Sequence, residues 1–139
     1  MRIHRCRLDD AEFVVASGHL FDELPTIDRS RSFLQRAGNH LLIALIDESP
    51  AGFVSGVEVG HPDKPTEMLL YELGVDASQR RKGVGRALVE GLRDLAEEVG
   101  CAGMWVPIEP GNEAALATYR SAGADGAEDA VIMTWDWGR

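Results

Sequence analysis

The chain has 139 residues, of which 45% are hydrophobic and 27% charged, and its formal net charge is −9. A chain of this length and composition is expected to form one domain, residues 1–139, whose core needs neither disulfide nor metal. The acidic balance argues against nucleic acid or an anionic membrane as partner and favours cationic ligands.

Membrane and metal signals are not found. No apolar run approaches the roughly 20 residues of a membrane span, and the first residues lack the apolar stretch of a secretory signal. The two cysteines, Cys6 and Cys101, are typical of reduced, packed thiols in a cytoplasmic protein, and neither stands in a context that would activate it. The histidines show no metal-ligand spacing, so no metal site is predicted; they are His4, His19, His40 and His61.

The first half of the chain reads as one strand, two helices and three strands. Alternation predicts a strand over 1–7, and Asp9-Asp10 begins a helix that ends near Phe21. Thr26 is expected to cap a second helix, ended by Gly38. Strands follow over 40–47, 52–60 and 67–75, with a turn at 47–52 and a loop at 61–65. This order favours an antiparallel meander.

The second half begins with the clearest element, a helix over 83–99 with an apolar face of Val84, Leu88, Leu92, Leu95, Ala96 and Val99. A short strand over 104–107, a helix from Asn112 to about Ala122 and a last strand over 130–137 follow. The predicted fold is mixed α/β, with a mostly antiparallel central sheet of about six to seven strands flanked by four helices. A βαβ unit spans 67–107.

Residues 80–86 read Arg-Arg-Lys-Gly-Val-Gly-Arg and lie between a strand and a helix. Glycines let backbone N–H groups approach a polyanion closely, and a helix N-terminus adds unpaired donors and a positive dipole end. The pattern therefore predicts a phosphate site. It is neither a Rossmann nor a Walker motif. An ordinary tight loop is the alternative interpretation, and the order of the flanking elements makes it the weaker one.

With those flanking elements, the chain resembles the GNAT family of N-acetyltransferases. The family's acetyl-CoA signature, (Gln/Arg)-x-x-Gly-x-(Gly/Ala), matches Arg80 to Gly85, and Asn112 and Tyr119 match the helix after the fifth strand. The resemblance implies the acyl-CoA N-acyltransferase fold with acetyl-CoA as co-substrate. It also implies two strands that splay apart near Pro107, where a proline cannot donate to the ladder.

The resemblance further implies the residues that hold coenzyme A. Backbone groups of Leu73, Gly74 and Val75 would pair with the pantetheine arm like an added strand. Backbone N–H groups of the basic loop would hold the pyrophosphate. The expected cofactor residues beyond that strand are Arg80, Arg81, Lys82, Gly83, Val84, Gly85, Arg86, Asn112 and Tyr119.

Two side chains are candidates for catalysis. The resemblance implies that Tyr119 protonates the departing thiolate; otherwise it is a partly buried aromatic with a satisfied hydroxyl. Glu72 is the only charge in the apolar run 68–75. It either faces a cleft, where it would take a proton from an ammonium substrate, or lies on a solvated strand face. Direct attack of the amine on the thioester is simpler than a covalent acetyl-cysteine step, for which neither cysteine is activated.

The acceptor is less defined. Residues 70–75, the Arg81 loop and residues 133–136 are similar to gentamicin-type aminoglycoside N-acetyltransferases, which implies a cationic acceptor held by Asp22, Glu23 and Asp136. A metabolite or protein amine is an alternative acceptor, and a non-catalytic acyl-CoA sensor is an alternative function. A nucleic-acid binder is opposed by the net charge. The apolar last strand would cap the sheet or pair with a second copy, so a homodimer is one expectation.

Overall fold

The computed structural model describes all 139 residues. Its strands and α-helices are β1 Arg2–Arg5, α1 Ala11–Ala16, α2 Ile27–Gln35, β2 Asn39–Ile46, β3 Ser49–Val59, β4 Glu67–Val75, α3 Val84–Glu98, β5 Met104–Trp105 and α4 Glu113–Ser121. The five strands form one sheet in chain order: β1 to β4 are antiparallel, and β5 is parallel to β4. The predicted mixed sheet, meander and βαβ unit are confirmed. None of the helices combines the length and apolarity needed to cross a membrane.

Two apolar layers cover the two faces of the sheet. Helix α3 packs one face with a stripe that includes Leu88 and Leu92, both fully buried. Helices α1 and α2 cover the other face, where Ile43 and Phe53 form the centre of a smaller cluster. The predicted apolar face of α3 is confirmed except at Val99, which follows the last helical residue and is 36% exposed. The site therefore forms around β4, between two separately packed layers.

The sheet has five strands because the predicted last strand, 130–137, does not form. Every residue from 123 to 139 is exposed, and none of them belongs to a helix or strand. A strand is stabilised by a neighbour that accepts its backbone hydrogen bonds. The edge strand β5 is only two residues long, and residues 130–137 make no backbone pairing with it. Residues 130–137 therefore have the apolar pattern of a strand but no neighbouring strand to pair with.

The β2–β3 hairpin is tighter than predicted. The connection is two residues, Asp47 and Glu48, and both have positive φ values, 51° and 62°. Two-residue hairpin turns of this type need left-handed conformations, which Asp adopts more readily than most residues. Pro50 therefore lies inside β3 rather than in the turn, at a bulge where Leu45 faces it.

The predicted first helix, 8–21, is divided into a 3-10 turn at Leu8–Asp10, helix α1 and a second 3-10 turn at Gly18–Leu20. The chain packs closely at Gly18, where the second turn begins, because a Cβ there would lie 3.3 Å from Leu24 Cδ2. The tightened turn after Gly18 places Leu20 in the core beside Phe53.

Candidate active site

The basic loop leaves its backbone donors unused. Gly83 is the N-cap of α3 at φ 79°, and Arg81 has φ 64°, so the chain twists through two left-handed residues before the helix begins. None of the backbone N–H groups of residues 80–86 donates to an acceptor in the protein. Several donors at a helix N-terminus are the arrangement that binds phosphate. The predicted phosphate loop thus has the required local geometry.

Gly85 is not required by packing within the protein. A Cβ at Gly85 would lie 3.5 Å from Thr118 Cγ2 and 3.7 Å from Val75 Cγ2, both ordinary contact distances. The same contacts place this glycine between the end of β4 and the helix that carries Tyr119. The absence of a side chain therefore leaves backbone accessible at the junction of three elements.

The four basic side chains of the loop are not equivalent. Arg80 and Arg81 are exposed and make no ion pair. Lys82 Nζ donates to the neutral Gln79 Oε1 at 3.0 Å, whereas Arg86 pairs with Glu90 at 2.7 Å. The uncompensated positive charge is therefore concentrated at the beginning of the loop.

Strands β4 and β5 separate after two residue pairs. Met68 faces Met104 and Leu69 faces Trp105, and no later residue of β4 has a partner on that side. Residues 70–75, which include the predicted pantetheine residues Leu73, Gly74 and Val75, therefore present free backbone groups to a gap between the strands. The predicted splay is present, and it opens toward the basic loop.

A β-bulge determines which way Glu72 points. Ser55 pairs with Glu72 while Gly56 pairs with Leu70, so Tyr71 has no partner on β3. Before the bulge, Met68 and Leu70 point into the α3 layer. With uninterrupted alternation Glu72 would follow them into that core, but the extra residue reverses its direction. Glu72 therefore lines a cleft on this face and is at the same time exposed to solvent.

The cleft is a cavity of about 480 Å³ between β4 and the α1–α2 layer. Its acidic groups are Asp22, Glu23 and Glu72, and its aromatic floor consists of Phe21, Phe33 and Phe53. We call it the acidic cavity. Arg29 is its only basic lining residue. The structure therefore brings together three of the four predicted carboxylates.

The acidic cavity perturbs Glu72. Partial burial, and to a smaller extent the nearby Asp22 carboxylate, raise the pKa of Glu72 above its usual value. Its backbone N–H donates to Ser55 Oγ at 3.1 Å, which fixes this part of the bulge. A carboxylate with a raised pKa is a stronger base than a free one, as proton abstraction near neutral pH requires.

Tyr119 lies on α4, against the α3 layer. Burial raises the pKa of its phenol above the usual value, so the hydroxyl keeps its proton at neutral pH. It lines a second cavity of about 210 Å³, which we call the edge cavity, together with Leu70, Met104, Trp105 and Val106. Tyr119 and Glu72 therefore do not share a cavity; they lie on opposite faces of the splayed strands.

Two of the predicted site residues, Asn112 and Asp136, make local backbone contacts outside the acidic cavity. Asn112 is the N-cap of α4, and its Oδ1 accepts from Ala115 N at 3.1 Å. Asp136 lies in the exposed 126–139 segment, outside the acidic cavity, and accepts from Gly138 N at 2.7 Å. Asn112 begins the helix that carries Tyr119, whereas Asp136 is not brought to the other carboxylates.

Sequence reasoning missed several residues of the cavity. Ser30 lines it, is 5% exposed, and its Oγ has no hydrogen-bond partner. Phe33 on the same helix and Phe53 on β3 complete the aromatic floor. In the sequence, only the apolar face of the second helix pointed to these residues. Such a face indicates that one side of the helix is buried, but it does not indicate which part of the sheet that side covers.

A cluster of potential metal ligands was also missed. His4, Cys6 and Asp10 place their ligand atoms within 4.8 Å of one another. Asp10 Oδ2 accepts from Arg7 N at 2.7 Å and contacts His4 Nε2 at 3.1 Å, so these groups have protein partners. Burial raises the pKa of the Cys6 thiol to about 12. The pKa of Cys101 is raised as well, first by burial, so neither cysteine is an activated nucleophile.

Comparison with known proteins identifies a curated relative. The chain is 39% identical over 80 residues to the ribosomal protein bS18-alanine N-acetyltransferase of Escherichia coli strain K12, a match covering 48% of this chain and 54% of that protein. The chain thus spans about half the length of the curated relative it matches.

Two solved structures share the fold. The aminoglycoside acetyltransferase meta-AAC0020 from an uncultured soil metagenomic sample, in complex with sisomicin, superposes with a TM-score of 0.88 at 19% identity over 97% of this chain and 95% of that chain. The aminoglycoside N-acetyltransferase AAC(6')-Iy in complex with CoA superposes with a TM-score of 0.72 at 19% identity over 96% and 93%. The model of the Acetyltransferase (GNAT) family matches residues 6–124. The chain therefore belongs to the GNAT acetyltransferase family.

Proposed function

We propose that residues 1–139 form one catalytic domain that transfers the acetyl group of acetyl-CoA to a primary amine by direct attack. The observation that carries this proposal is the position of Glu72. The bulge at Tyr71 turns this carboxylate into an acidic cavity beside a splayed strand, at the end of which lies a loop of unused backbone donors.

The donor half of the site consists of backbone and charge. Residues 73–75 would pair with an extended amide chain in the splay. The N–H groups of residues 80–86 would bind the pyrophosphate, with Arg80 and Arg81 adding uncompensated charge. Charge-assisted hydrogen bonds contribute about 1.5–3 kcal/mol each, so a few of them account for micromolar binding, about −8 kcal/mol.

We assign the base role to Glu72 and the acid role to Tyr119, which line the two cavities beside the splay. Acetyl-CoA supplies the acetyl group as an activated thioester. Glu72 accepts a proton from the ammonium form of the acceptor, directly or through water, and the freed nitrogen forms the new C–N bond as the C–S bond breaks. The nitrogen loses its second proton to solvent as the amide forms, while Tyr119 donates its phenolic proton to the departing sulfur and regains one from solvent. General acid–base steps of this kind are worth about 10²–10⁴-fold each.

The splay reconciles the two groups with their separate cavities. Residues 70–75 have no partner on β5, and we infer that a ligand in the gap between the strands would reach both the face that holds Glu72 and the face that holds Tyr119. A thioester in that gap would present its carbonyl to the acidic cavity and its sulfur to the phenol. The strand opening is therefore where the acid and the base would act on one bond.

The acceptor we propose is a cationic small molecule such as an aminoglycoside. Three carboxylates against one arginine give the acidic cavity a negative field that attracts ammonium groups. The fold likeness to meta-AAC0020, whose structure contains sisomicin, agrees with such an acceptor. A protein N-terminal amine is the second candidate, because the bS18-alanine enzyme is more similar in sequence, at 39% identity.

The proposed partners are acetyl-CoA, an amine and a second copy of the chain. The free cysteines agree with a reducing, cytoplasmic location. The net charge of −9 is unfavourable for nucleic acid or an anionic membrane.

The test is release of free thiol from acetyl-CoA across a panel of aminoglycosides, diamines, amino acids and peptides with N-terminal alanine. We expect turnover with a polycationic acceptor, and a fall of about 10²-fold or more in kcat for Tyr119→Phe with little change in acetyl-CoA affinity. Turnover only with peptides would favour the second candidate. Acetyl-CoA binding without thiol release on any amine would instead support a sensor function.

A matched pair of variants tests the acceptor site separately. Asp22→Asn removes a carboxylate from the acidic cavity, so it should raise the KM for a polycation. Asp63→Asn removes the same charge from a distant exposed loop and should leave KM unchanged. Equal effects of the two substitutions would contradict binding of the acceptor in this cavity.

A further inference from the structure

Three side chains near the beginning of the chain form a cluster that the proposed catalytic steps do not use. His4 Nε2, Cys6 Sγ and a carboxylate oxygen of Asp10 lie within 4.8 Å of one another. All three residues are partly buried, and none of them lines the acidic cavity or the edge cavity. We call them the His-Cys-Asp cluster. An imidazole, a thiol and a carboxylate that converge on one point are a donor set that suits a zinc ion.

Backbone pairing fixes the positions of His4 and Cys6. His4 lies opposite Ile43 in the β1–β2 register, and Cys6 N donates to Leu41 O at 2.9 Å, one residue beyond the end of β1. Side chains two residues apart on a strand point to the same face. That face is the one covered by α1 and α2, because Cys6 packs against the smaller apolar cluster there. The sheet itself therefore places both side chains on one side.

A tight turn brings Asp10 back to the strand. Asp10 N donates to Arg7 O at 2.9 Å, and Arg7 N donates to Asp10 Oδ2 at 2.7 Å, so the turn is closed by two hydrogen bonds. The carboxylate then lies 3.1 Å from His4 Nε2. Carboxylates that bind metals are themselves held by hydrogen bonds of this kind. The Arg7 N–H would thus keep Asp10 oriented while its carboxylate binds an ion.

The cluster is supported on one side and open on the other. The His4 ring packs edge-to-face on Phe13, with ring centroids 5.3 Å apart and an angle of 87° between the planes. The His4 and Asp10 side chains nevertheless keep 30% and 23% of their surface exposed. An ion therefore has an entry path, and its fourth coordination position would be open to water.

The separations suit tetrahedral zinc. Bonds of about 2.0–2.3 Å to nitrogen, oxygen and sulfur place neighbouring ligand atoms about 3.3–3.7 Å apart. The distance of 3.1 Å between His4 and Asp10 is already close to that value, and no pair in the cluster is wider than 4.8 Å. Closing the site needs shifts of about 1 Å, which rotation about side-chain bonds supplies.

Charge also balances with a divalent ion. Burial, and to a smaller extent the Asp10 carboxylate, raise the pKa of the Cys6 thiol to about 12. A coordinated cation reverses this local field, because a thiol that binds a metal is deprotonated outright and its proton passes to solvent. One thiolate and one carboxylate then neutralise the two positive charges of the ion. The partly buried site is left with no unpaired charge.

We propose that His4, Cys6 and Asp10 form a zinc site whose fourth ligand is water. The ion connects β1 to the beginning of α1, the helix whose Val14 lines the acidic cavity. Sulfur and imidazole ligands select zinc over magnesium and calcium, which prefer oxygen ligands. The proposal concerns metal binding and does not depend on the proposed acetyl transfer.

The test uses cobalt(II) as a probe, because cobalt enters tetrahedral zinc sites and a cobalt–thiolate bond absorbs in the near ultraviolet. The reduced protein, first treated with a chelator, should develop this band with one cobalt ion per chain. Zinc should then abolish the band, since zinc binds such sites more tightly than cobalt. Competition should give a zinc dissociation constant below about 10 μM. Zinc should also raise the Tm, as a ligand that binds only the folded state does.

Two matched pairs of variants locate the site. Cys6→Ser should abolish the cobalt–thiolate band and weaken zinc binding at least about 100-fold, since loss of even an outer-shell partner costs about 10–100-fold. Cys101→Ser removes the other free cysteine and should change neither. His4→Gln should weaken zinc binding to a similar extent as Cys6→Ser. His61→Gln removes another histidine paired with a carboxylate, at 2.9 Å from Glu67, and should leave zinc binding unchanged.

Several results would overturn the site. A parent with a zinc dissociation constant above about 10 μM, or without the cobalt–thiolate band, would not hold the ion through Cys6. Zinc binding that survives Cys6→Ser unchanged, or that is lost with Cys101→Ser, would place the ion elsewhere. Circular dichroism confirms that each variant is folded. Should Cys6→Ser fail to fold, Asp10→Asn replaces it, and it should keep the band but weaken zinc binding at least about tenfold.

Discussion

Replacing Gly74 with alanine tests how tightly the β3–β4 pair is packed beneath the acidic cavity. Gly74 lies directly opposite Phe53 in the antiparallel register. A Cβ at Gly74 would lie 2.7 Å from Phe53 Cε1 and 3.1 Å from the carbonyl oxygen of Leu20. The first distance is shorter than any normal carbon–carbon contact, and the second involves backbone. A single methyl group is therefore enough to disturb two elements.

The cost depends on whether Phe53 is able to move. Its ring is 3% exposed and packs against Phe21 with ring centroids 4.2 Å apart, so Phe21 limits its movement on that side. Overpacking of this kind costs about 1–3 kcal/mol in the free energy of unfolding. For a domain of this length, that lowers Tm by roughly 4 °C per kcal/mol. Because Phe53 lines the acidic cavity, we also expect the acceptor KM to rise.

Urea denaturation monitored by circular dichroism measures the effect on stability. Gly103→Ala is the control, because a Cβ at Gly103 meets no atom within 4 Å and its φ is not left-handed. That control should change the free energy of unfolding by no more than about 0.5–1 kcal/mol. If Gly74→Ala were as stable as Gly103→Ala, the close packing of Phe53 against β4 would be refuted.

Three further predictions concern the base, the phosphate loop and the core. In the parent, kcat/KM should rise with pH as Glu72 loses its proton, with a pKa above the usual glutamate value. Glu72→Gln should abolish this rise. A rise that persists in the variant would assign the base to another group. Arg80→Ala should weaken acetyl-CoA binding up to about tenfold in calorimetry, and Arg86→Ala should do so less because Glu90 already neutralises Arg86; equal losses would contradict a charge role. Leu88→Ala should lower the free energy of unfolding by about 2–5 kcal/mol, against about 0.5 kcal/mol or less for the exposed Glu97→Ala; similar values would place Leu88 outside the core.

Local patterns predicted the strand, loop and helix around residues 80–86. The apolar stripe of α3 has helical periodicity, and the glycines of the basic loop immediately precede it, so helix, loop and strand end are encoded within about thirty consecutive residues. Thr26 and Asn112 were identified as helix starts, and each accepts a backbone N–H three residues on, from Arg29 and Ala115. Such short-range interactions depend on few other parts of the chain.

The acceptor half depends on contacts between distant residues. The direction of Glu72 is determined by an extra residue in β4 that is visible only against its partner β3. The floor of the acidic cavity joins Phe33 and Phe53 from separate elements, and no spacing in the sequence connects them. The prediction of a last strand at 130–137 was wrong for the same reason. Alternation indicates that one face of a segment is apolar, but it does not indicate which surface would cover that face.

The unpaired Tyr71 gives β4 two halves of opposite parity. Before the bulge, the even-numbered Met68 and Leu70 point into the α3 core, and after it the even-numbered Glu72 lines the acidic cavity. Loss or gain of one residue between Leu70 and Glu72 would reverse the faces of the residues that follow. The Glu72 carboxylate would then point into the apolar α3 layer, and Leu73 would point into the acidic cavity. A change of two residues would preserve both. We therefore expect that β4 tolerates insertion or deletion of two residues at the bulge but not of one.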